Sequence, residues 1–116
     1  MGIGLKFELE EVDQVIVLRL DGRLDAPSAP ILERKVNSLI EEKHYFLALD
    51  FSKIDYLSSA GMRVLLSMNK KIHAKQGSLI LFSVNPEVEE VLKMAGFDRV
   101  LHLVSSEKEA LQFNKK

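Results

Sequence analysis

Apolar and polar positions alternate from the start of the chain. Leu5, Phe7 and Leu9 are separated by Lys6, Glu8 and Glu10, the period-2 pattern of a strand with one wet face. Val15-Ile16-Val17-Leu18 is β-branched and almost continuous, which predicts a more deeply buried second strand over 14–21. The polar link at Val12-Asp13-Gln14 is short, so strands 5–11 and 14–21 are expected to pair as a hairpin, with Asp21-Gly22 ending the second. The period then changes. Asp25, Pro27, Ser28 and Pro30 form a loop and helix start, and Leu32, Val36, Leu39 and Ile40 mark one face of a helix running to about Lys43. Tyr45 to Phe51, apolar and ended by Asp50, reads as a strand covered on both faces. Gly61, Leu65, Met68 and Ile72 stripe a second helix, with Lys70, Lys71 and Lys75 in its last turns and Gly77 closing it.

The remainder repeats the alternation. Residues 78–84 read as a buried strand. Asn85-Pro86-Glu87 starts a third helix with Val88, Val91, Leu92 and Ala95 on its apolar side and Gly96 as its stop. Residues 100–104 read as a short strand, and Ser106 with Glu109 forms a capping box for a last helix carrying Ala110, Leu111 and Phe113. The order is ββαβαβαβα. Strands alternating with helices after a leading hairpin predict an α/β fold: a mixed sheet with a parallel portion, covered by about four helices. With 116 residues and no linker, repeat or low-complexity tract, residues 1–116 are expected to form a single domain.

Composition narrows the function classes. Hydrophobic residues make up 47% and charged residues 28%, which argues against disorder. The net charge of -1 supplies no overall field for nucleic acid or an anionic membrane. Without cysteine there is no disulfide, thiolate nucleophile or Cys-based zinc site, which fits a reducing cytosol. No apolar run approaches the roughly 20 residues of a membrane span. The first residues, Met1-Gly2-Ile3-Gly4-Leu5-Lys6, lack the apolar core of a signal peptide, and Lys6 stands where an acylation motif needs Ser or Thr.

Enzyme chemistry fails on inventory. The chain has no GxxxxGK[ST] loop, no GxGxxG fingerprint and no GxSxG elbow. His44, His73 and His102 are scattered without partners at metal-ligand spacing: the first two suit helix ends, and His102 suits a half-buried strand position. Asp50 at a strand end and Asp25 in a loop after a strand are placed where open α/β sheets converge on ligands. Both also have local readings, Asp50 bonding backbone amides in a turn and Asp25 starting a helix. Two carboxylates with no histidine, metal or nucleotide make a poor hydrolase.

The run from Asp50 to Gly61 is the richest segment. Ser58 is a natural N-cap for the second helix, worth about 1 kcal/mol. Ser59 falls in the first turn near solvent, and Ala60 and Gly61 are small enough for close approach. The residues alone leave two readings open: a capped helix with a packing glycine, or a hydroxyl where charge is added and removed. Phosphorylation of Ser59 would add a charge of about −1.5 to −2, tolerated at a helix N-terminus but not by an apposed partner surface.

Asp50-Phe51-Ser52-Lys53-Ile54-Asp55-Tyr56-Leu57-Ser58-Ser59-Ala60-Gly61 resembles the signature of the STAS domain, in particular of the stand-alone bacterial anti-sigma factor antagonists. That pattern is Asp-Leu-Ser, a spacer, an aromatic, an apolar residue, then Asp-Ser-Ser/Thr-Gly leading into a helix. Asp50, Ser52, Tyr56, Leu57, Ser59 and Gly61 fall on it, and Leu20-Asp21-Gly22-Arg23-Leu24-Asp25 resembles the family's G-x-L/I-D segment upstream. The resemblance implies a cytoplasmic protein switch with no cofactor, metal or catalytic activity of its own. The unmodified form would bind an anti-sigma factor serine kinase of the GHKL type and free a sigma factor. The kinase would phosphorylate Ser59, weakening binding, and a PP2C-type phosphatase would reverse this. Partner contacts would fall on Asp25, Ser58, Ser59, Ala60, Gly61 and Met62. No direct nucleic-acid or membrane partner is implied.

Two positions depart from the pattern. The family's Asp before the acceptor is Ser58, which keeps a cap but adds a second candidate hydroxyl, and the Ser or Thr after it is Ala60. These departures motivate a second expectation, a STAS adaptor subunit of a transport or signalling complex that never uses phosphate. A third class, a small nucleotide-binding or hydrolytic protein on the Asp25 and Asp50 strand ends, lacks a phosphate loop.

Overall fold

A computed structural model describes residues 4–113; Met1-Gly2-Ile3, the start of the segment read above for targeting signals, lie outside it. Five strands form one mixed sheet in the order β1-β2-β3-β4-β5, the order in which the chain makes them. They are β1 (Leu5–Val12), β2 (Val15–Leu24), β3 (Phe46–Leu57), β4 (Ser78–Phe82) and β5 (His102–Val104). β1 is antiparallel to β2, and the other neighbours are parallel. The helices are α1 (Ala29–Glu41), α2 (Ser59–Ala74), α3 (Pro86–Met94) and α4 (Glu107–Phe113), with a 3-10 turn at Phe97–Arg99. The predicted order ββαβαβαβα is the observed one.

Each strand pair is joined as its residues dictate. The β1–β2 hairpin turns through Asp13 and Gln14, both at positive φ (52° and 70°), which twists the chain the way paired strands require. The parallel pairs β2–β3, β3–β4 and β4–β5 are crossed by α1, α2 and α3. Three successive right-handed crossovers between neighbouring strands put all three helices on one face. Leu18, Leu20, Leu49, Phe51 and Leu81 of the sheet pack there with Leu32, Val36, Leu65, Met68, Ile72 and Leu92 of the helices, all buried. The other face carries Val15, Val17, Ala48, Ile80 and Phe82, covered by Ala110 of α4 with Leu111 and Phe113 beside it.

Several boundaries differ from expectation for physical reasons. β2 does not end at Asp21-Gly22: it passes through two register shifts against β3 and continues to Leu24. Gly22 sits at φ 120°, and a Cβ there would lie 2.0 Å from the Gly4 carbonyl oxygen, so the glycine admits the backbone leading into β1 rather than stopping the strand. β3 likewise overruns Phe51 by six residues to Leu57, so most of the signature is strand. Gln76 and not Gly77 takes the left-handed turn after α2 (φ 62°). α3 is only nine residues long and buries Val88 and Leu92, leaving Val91 and Ala95 exposed against expectation. Val100 and Leu101 precede β5 instead of opening it, and Val100 is exposed. Ser106 caps α4 through the Glu109 amide (3.2 Å), but the Glu109 carboxylate reaches back to the amide and hydroxyl of Ser105, one residue earlier than a capping box predicts.

Candidate functional site

The serine element sits where β2 and β3 end together. Leu24 and Leu57 are paired, and the Ser58 amide donates to the Leu24 carbonyl (3.0 Å), extending the ladder by one bond. Ser58 has extended backbone (φ −94°, ψ 173°), and its Oγ accepts from the Gly61 amide at 3.2 Å. Its carbonyl accepts the first helical bond, from Met62 at 2.9 Å. The two adjacent hydroxyls therefore differ. Ser58 is half-buried and engaged as a cap, whereas Ser59 is exposed in the first turn and its hydroxyl makes no hydrogen bond to another described residue.

Gly61 is buried, and a Cβ there would lie 2.6 Å from the Leu24 carbonyl oxygen and 2.9 Å from Leu57 Cδ1. The close approach that small residues at this position allow is thus to the chain's own β2, and it seats the start of α2 on the strand ends. Ala60 and Met62 are half-buried beside it.

Asp25 stands in the loop between β2 and α1. Its Oδ1 accepts from the Ser28 amide (3.2 Å) and lies 3.0 Å from the Ser28 hydroxyl, and its Oδ2 lies 3.4 Å from Arg23 Nε. Ser28 is fully buried: its hydroxyl also lies 2.8 Å from the Arg23 carbonyl, which it can reach as a donor, and accepts from the Asp25 amide at 2.9 Å. Burial works to raise the Asp25 pKa, but the Ser28 hydroxyl, the Ser28 amide and the Arg23 guanidinium together hold it below its ordinary value. The carboxylate is thereby a lock on this loop, with about a fifth of its side chain still open to solvent.

Asp50 is in the middle of β3 and not at a strand end. Its Oδ2 pairs with Arg19 Nη1 (3.1 Å) and its Oδ1 accepts from the Ser52 amide (2.9 Å). Seven residues of extended chain, about 23 Å, separate it from Leu57. Asp25 and Asp50 therefore do not converge, and the geometry of a two-carboxylate hydrolase is missing. His102 is exposed, not half-buried as its strand position suggested, and its ring meets that of Phe113 at a tilt of 54°, with centroids 4.4 Å apart. Among the described residues no group of three or more His, Asp or Glu side chains could hold a metal ion. None of their helices is long and apolar enough to cross a membrane.

Two features escaped sequence reasoning because only strand register creates them. Arg23 is paired with Tyr56 across β2 and β3, and its guanidinium lies 4.3 Å from the ring centroid, an exposed cation–π pair on the rim of the serine element. Arg19 joins Glu10 of β1 (3.0 Å), Asp50 of β3 and both carboxylate oxygens of Glu107 in α4 (2.8 and 3.2 Å). The Glu107 bonds raise the Arg19 pKa most, partial burial opposes them, and Glu10 and Asp50 raise it further.

The capping Ser58 and the exposed Ser59 thus stand at the joined ends of two parallel strands in a ββαβαβαβα sheet. The STAS domain model matches residues 6–110, and the chain belongs to that family. BtrV of Bordetella bronchiseptica is 29% identical over 106 residues, covering 91% of each chain. The anti-sigma F factor antagonist of Paenibacillus polymyxa is 26% identical over 110 residues, covering 94% of each. In solved structures the same fold recurs in an anti-sigma factor antagonist from Mycobacterium paratuberculosis (TM-score 0.87, 22% identity, 97% of this chain and 95% of that one). It recurs also in the anti-sigma factor antagonist SpoIIAA in its unphosphorylated form (TM-score 0.72, 22% identity, 93% of this chain and 96% of that one).

Proposed function

We propose that this chain is an anti-sigma factor antagonist whose binding is switched by phosphorylation of Ser59. In this reading the unmodified protein binds an anti-sigma factor serine kinase of the GHKL type in the cytoplasm and so releases a sigma factor. Transfer of a phosphoryl group to Ser59 ends the complex, and a PP2C-type phosphatase restores it. The protein itself does no catalysis and needs no cofactor.

One observation carries the reading: Ser59 is the exposed, unbonded hydroxyl of the pair, while Ser58 is committed to the Gly61 amide. A dianion on Ser59 would sit in the first turn of a 16-residue helix, where free amides and the macrodipole accept negative charge without unfolding. The names of the relatives support the same class. Asp25, Ala60 and Met62 supply the surface around it, and the buried Gly61 acts by seating the helix.

The test is incubation with a GHKL-type kinase from the same genome and ATP, followed by mapping of the modified residue. Label on Ser59 that disappears in Ser59→Ala is the expected result; label on Ser58, or none, removes the mechanism. In a pull-down, wild type should retain the kinase and Ser59→Asp should not. Retention indifferent to Ser59→Asp would favour the phosphate-independent adaptor, the reading that Ser58 and Ala60 at the family's Asp and Ser/Thr positions motivate.

A further inference from the structure

The outer face of α2 carries charge of one sign. From Ser59 to Gln76 the chain holds Arg63, Lys70, Lys71 and Lys75 and not one Asp or Glu. At 100° per residue, Ser59, Arg63 and Lys70 fall within about 40° of one another. That line lies roughly opposite the buried stripe of Gly61, Leu65, Met68 and Ile72. All three residues are exposed. Lys71, on the flank toward α1, is paired with Glu33 (3.5 Å) and Asn37 (3.1 Å). Arg63, Lys70 and Lys75 make no ion pair with any described residue. The acids of this net -1 chain gather elsewhere: Glu8, Glu10 and Glu11 on β1, Glu87, Glu89 and Glu90 on α3, Glu107 and Glu109 on α4.

We propose that this strip, Ser59–Arg63–Lys70, is a docking surface for an acidic patch on a folded protein partner, with Ser59 at one end. The inference rests on the partner-switch reading and names the chemistry of the partner's surface. The strip is about 16 Å long from Ser59 to Lys70 at 1.5 Å per residue, the scale of part of a protein interface. Two or three cations on a net-negative chain are too few to hold a nucleic-acid backbone or an anionic bilayer, which need a wider basic field. An acidic protein patch needs only complementarity, which speeds encounter and fixes register. The proposal also explains why one modification is enough. A phosphate on Ser59 neutralises Arg63 one helical turn away and places like charge against the incoming acids.

The experiment follows association of the full chain with the GHKL-type kinase by stopped flow, from about 0.01 M to about 0.15 M salt, where the screening length shrinks from about 30 Å to about 8 Å. The association rate should fall severalfold over that range. Lys70→Glu, remote from Ser59, should slow it a further roughly three- to tenfold at low salt, with its melting temperature and the identity of the labelled residue, Ser59, unchanged. Arg63→Glu should act in the same direction. A salt-independent rate, or Lys70→Glu binding as fast as wild type, overturns the surface while leaving the partner switch standing. Wild type that binds no kinase at any salt overturns both. Duplex DNA or phosphatidylserine vesicles retained at about 0.15 M salt, with loss in Lys70→Glu, would give the strip to another class of partner and overturn the proposal.

Discussion

On one face of the sheet three helices cover Leu18, Leu49 and Leu81; on the other, α4 alone covers Val17, Ala48 and Ile80. The first face is closed by apolar side chains of β2, β3, β4 and three helices, Leu18, Phe51, Leu65 and Met68 among them, all buried. The second is closed by a seven-residue helix with one fully buried residue, Ala110, and is anchored by a single arginine. Arg19 crosses from β2 to Glu107 and Asp50, so the α4 lid is held through charges that remain partly open to solvent. Burial scales with area, whereas half-exposed ion pairs contribute little each. The fold thus depends on the three-helix face, and α4 is the part of the molecule that opens most readily.

That contrast can be broken in order of expected effect. Leu65→Ala removes a fully buried side chain between α2 and the sheet and should cost about 2–5 kcal/mol, read by denaturant unfolding. Arg19→Met leaves Asp50 and Glu107 facing each other without their cation and should cost roughly 1–3 kcal/mol. Its signature is local: amide exchange should quicken in α4 and hold steady in α2. Uniform quickening in both helices would erase the distinction between the faces.

Smaller effects sharpen the picture around the serines. Ser58→Ala deletes the cap on Gly61 and should lower stability by about 1 kcal/mol. Ser59→Ala touches no bond within the described residues and should change stability by less than about 0.5 kcal/mol. Equal costs for the two variants would contradict the division of labour at the site. Acid titration distinguishes the same regions. Glu109 is held below its ordinary pKa of 4.5, chiefly by the Ser105 hydroxyl, and Asp25 is held below 3.8 against its own burial. Each favours the folded state above those values, and its contribution fades as pH falls through the depressed native pKa. Stability should therefore decline on acidification below about pH 4.5, beginning with Glu109 at the head of α4. Ser105→Ala should flatten that first part of the acid limb.

Much of this architecture was legible in the chain because period-2 and period-3.6 patterns report which face is buried. The stripe Leu65, Met68, Ile72 and the Ser58 cap needed nothing further. Register was not legible. No local pattern says that β2 runs past Gly22, because the glycine is required by the Gly4 backbone, which lies far away in sequence. Once β3 is extended to Leu57, Asp50 moves from a presumed ligand crevice to the middle of a strand, and Arg23 comes to lie over Tyr56. The Arg19 cluster joins residues 9, 31 and 88 positions apart, beyond any spacing rule. Val91 and Ala95 had the right period for a core face, but a nine-residue helix turns only one narrow stripe inward.

The strand order has a consequence for how the molecule is made. Because every strand lies beside the one synthesised just before it, nothing must wait for a distant segment to emerge and be inserted between neighbours. The hairpin supplies a template, and each βα unit can then add to a growing edge as it leaves the ribosome. The joint that carries Ser59 is completed midway, with two further crossings still to come, so its geometry is set well before the last helix closes the opposite side.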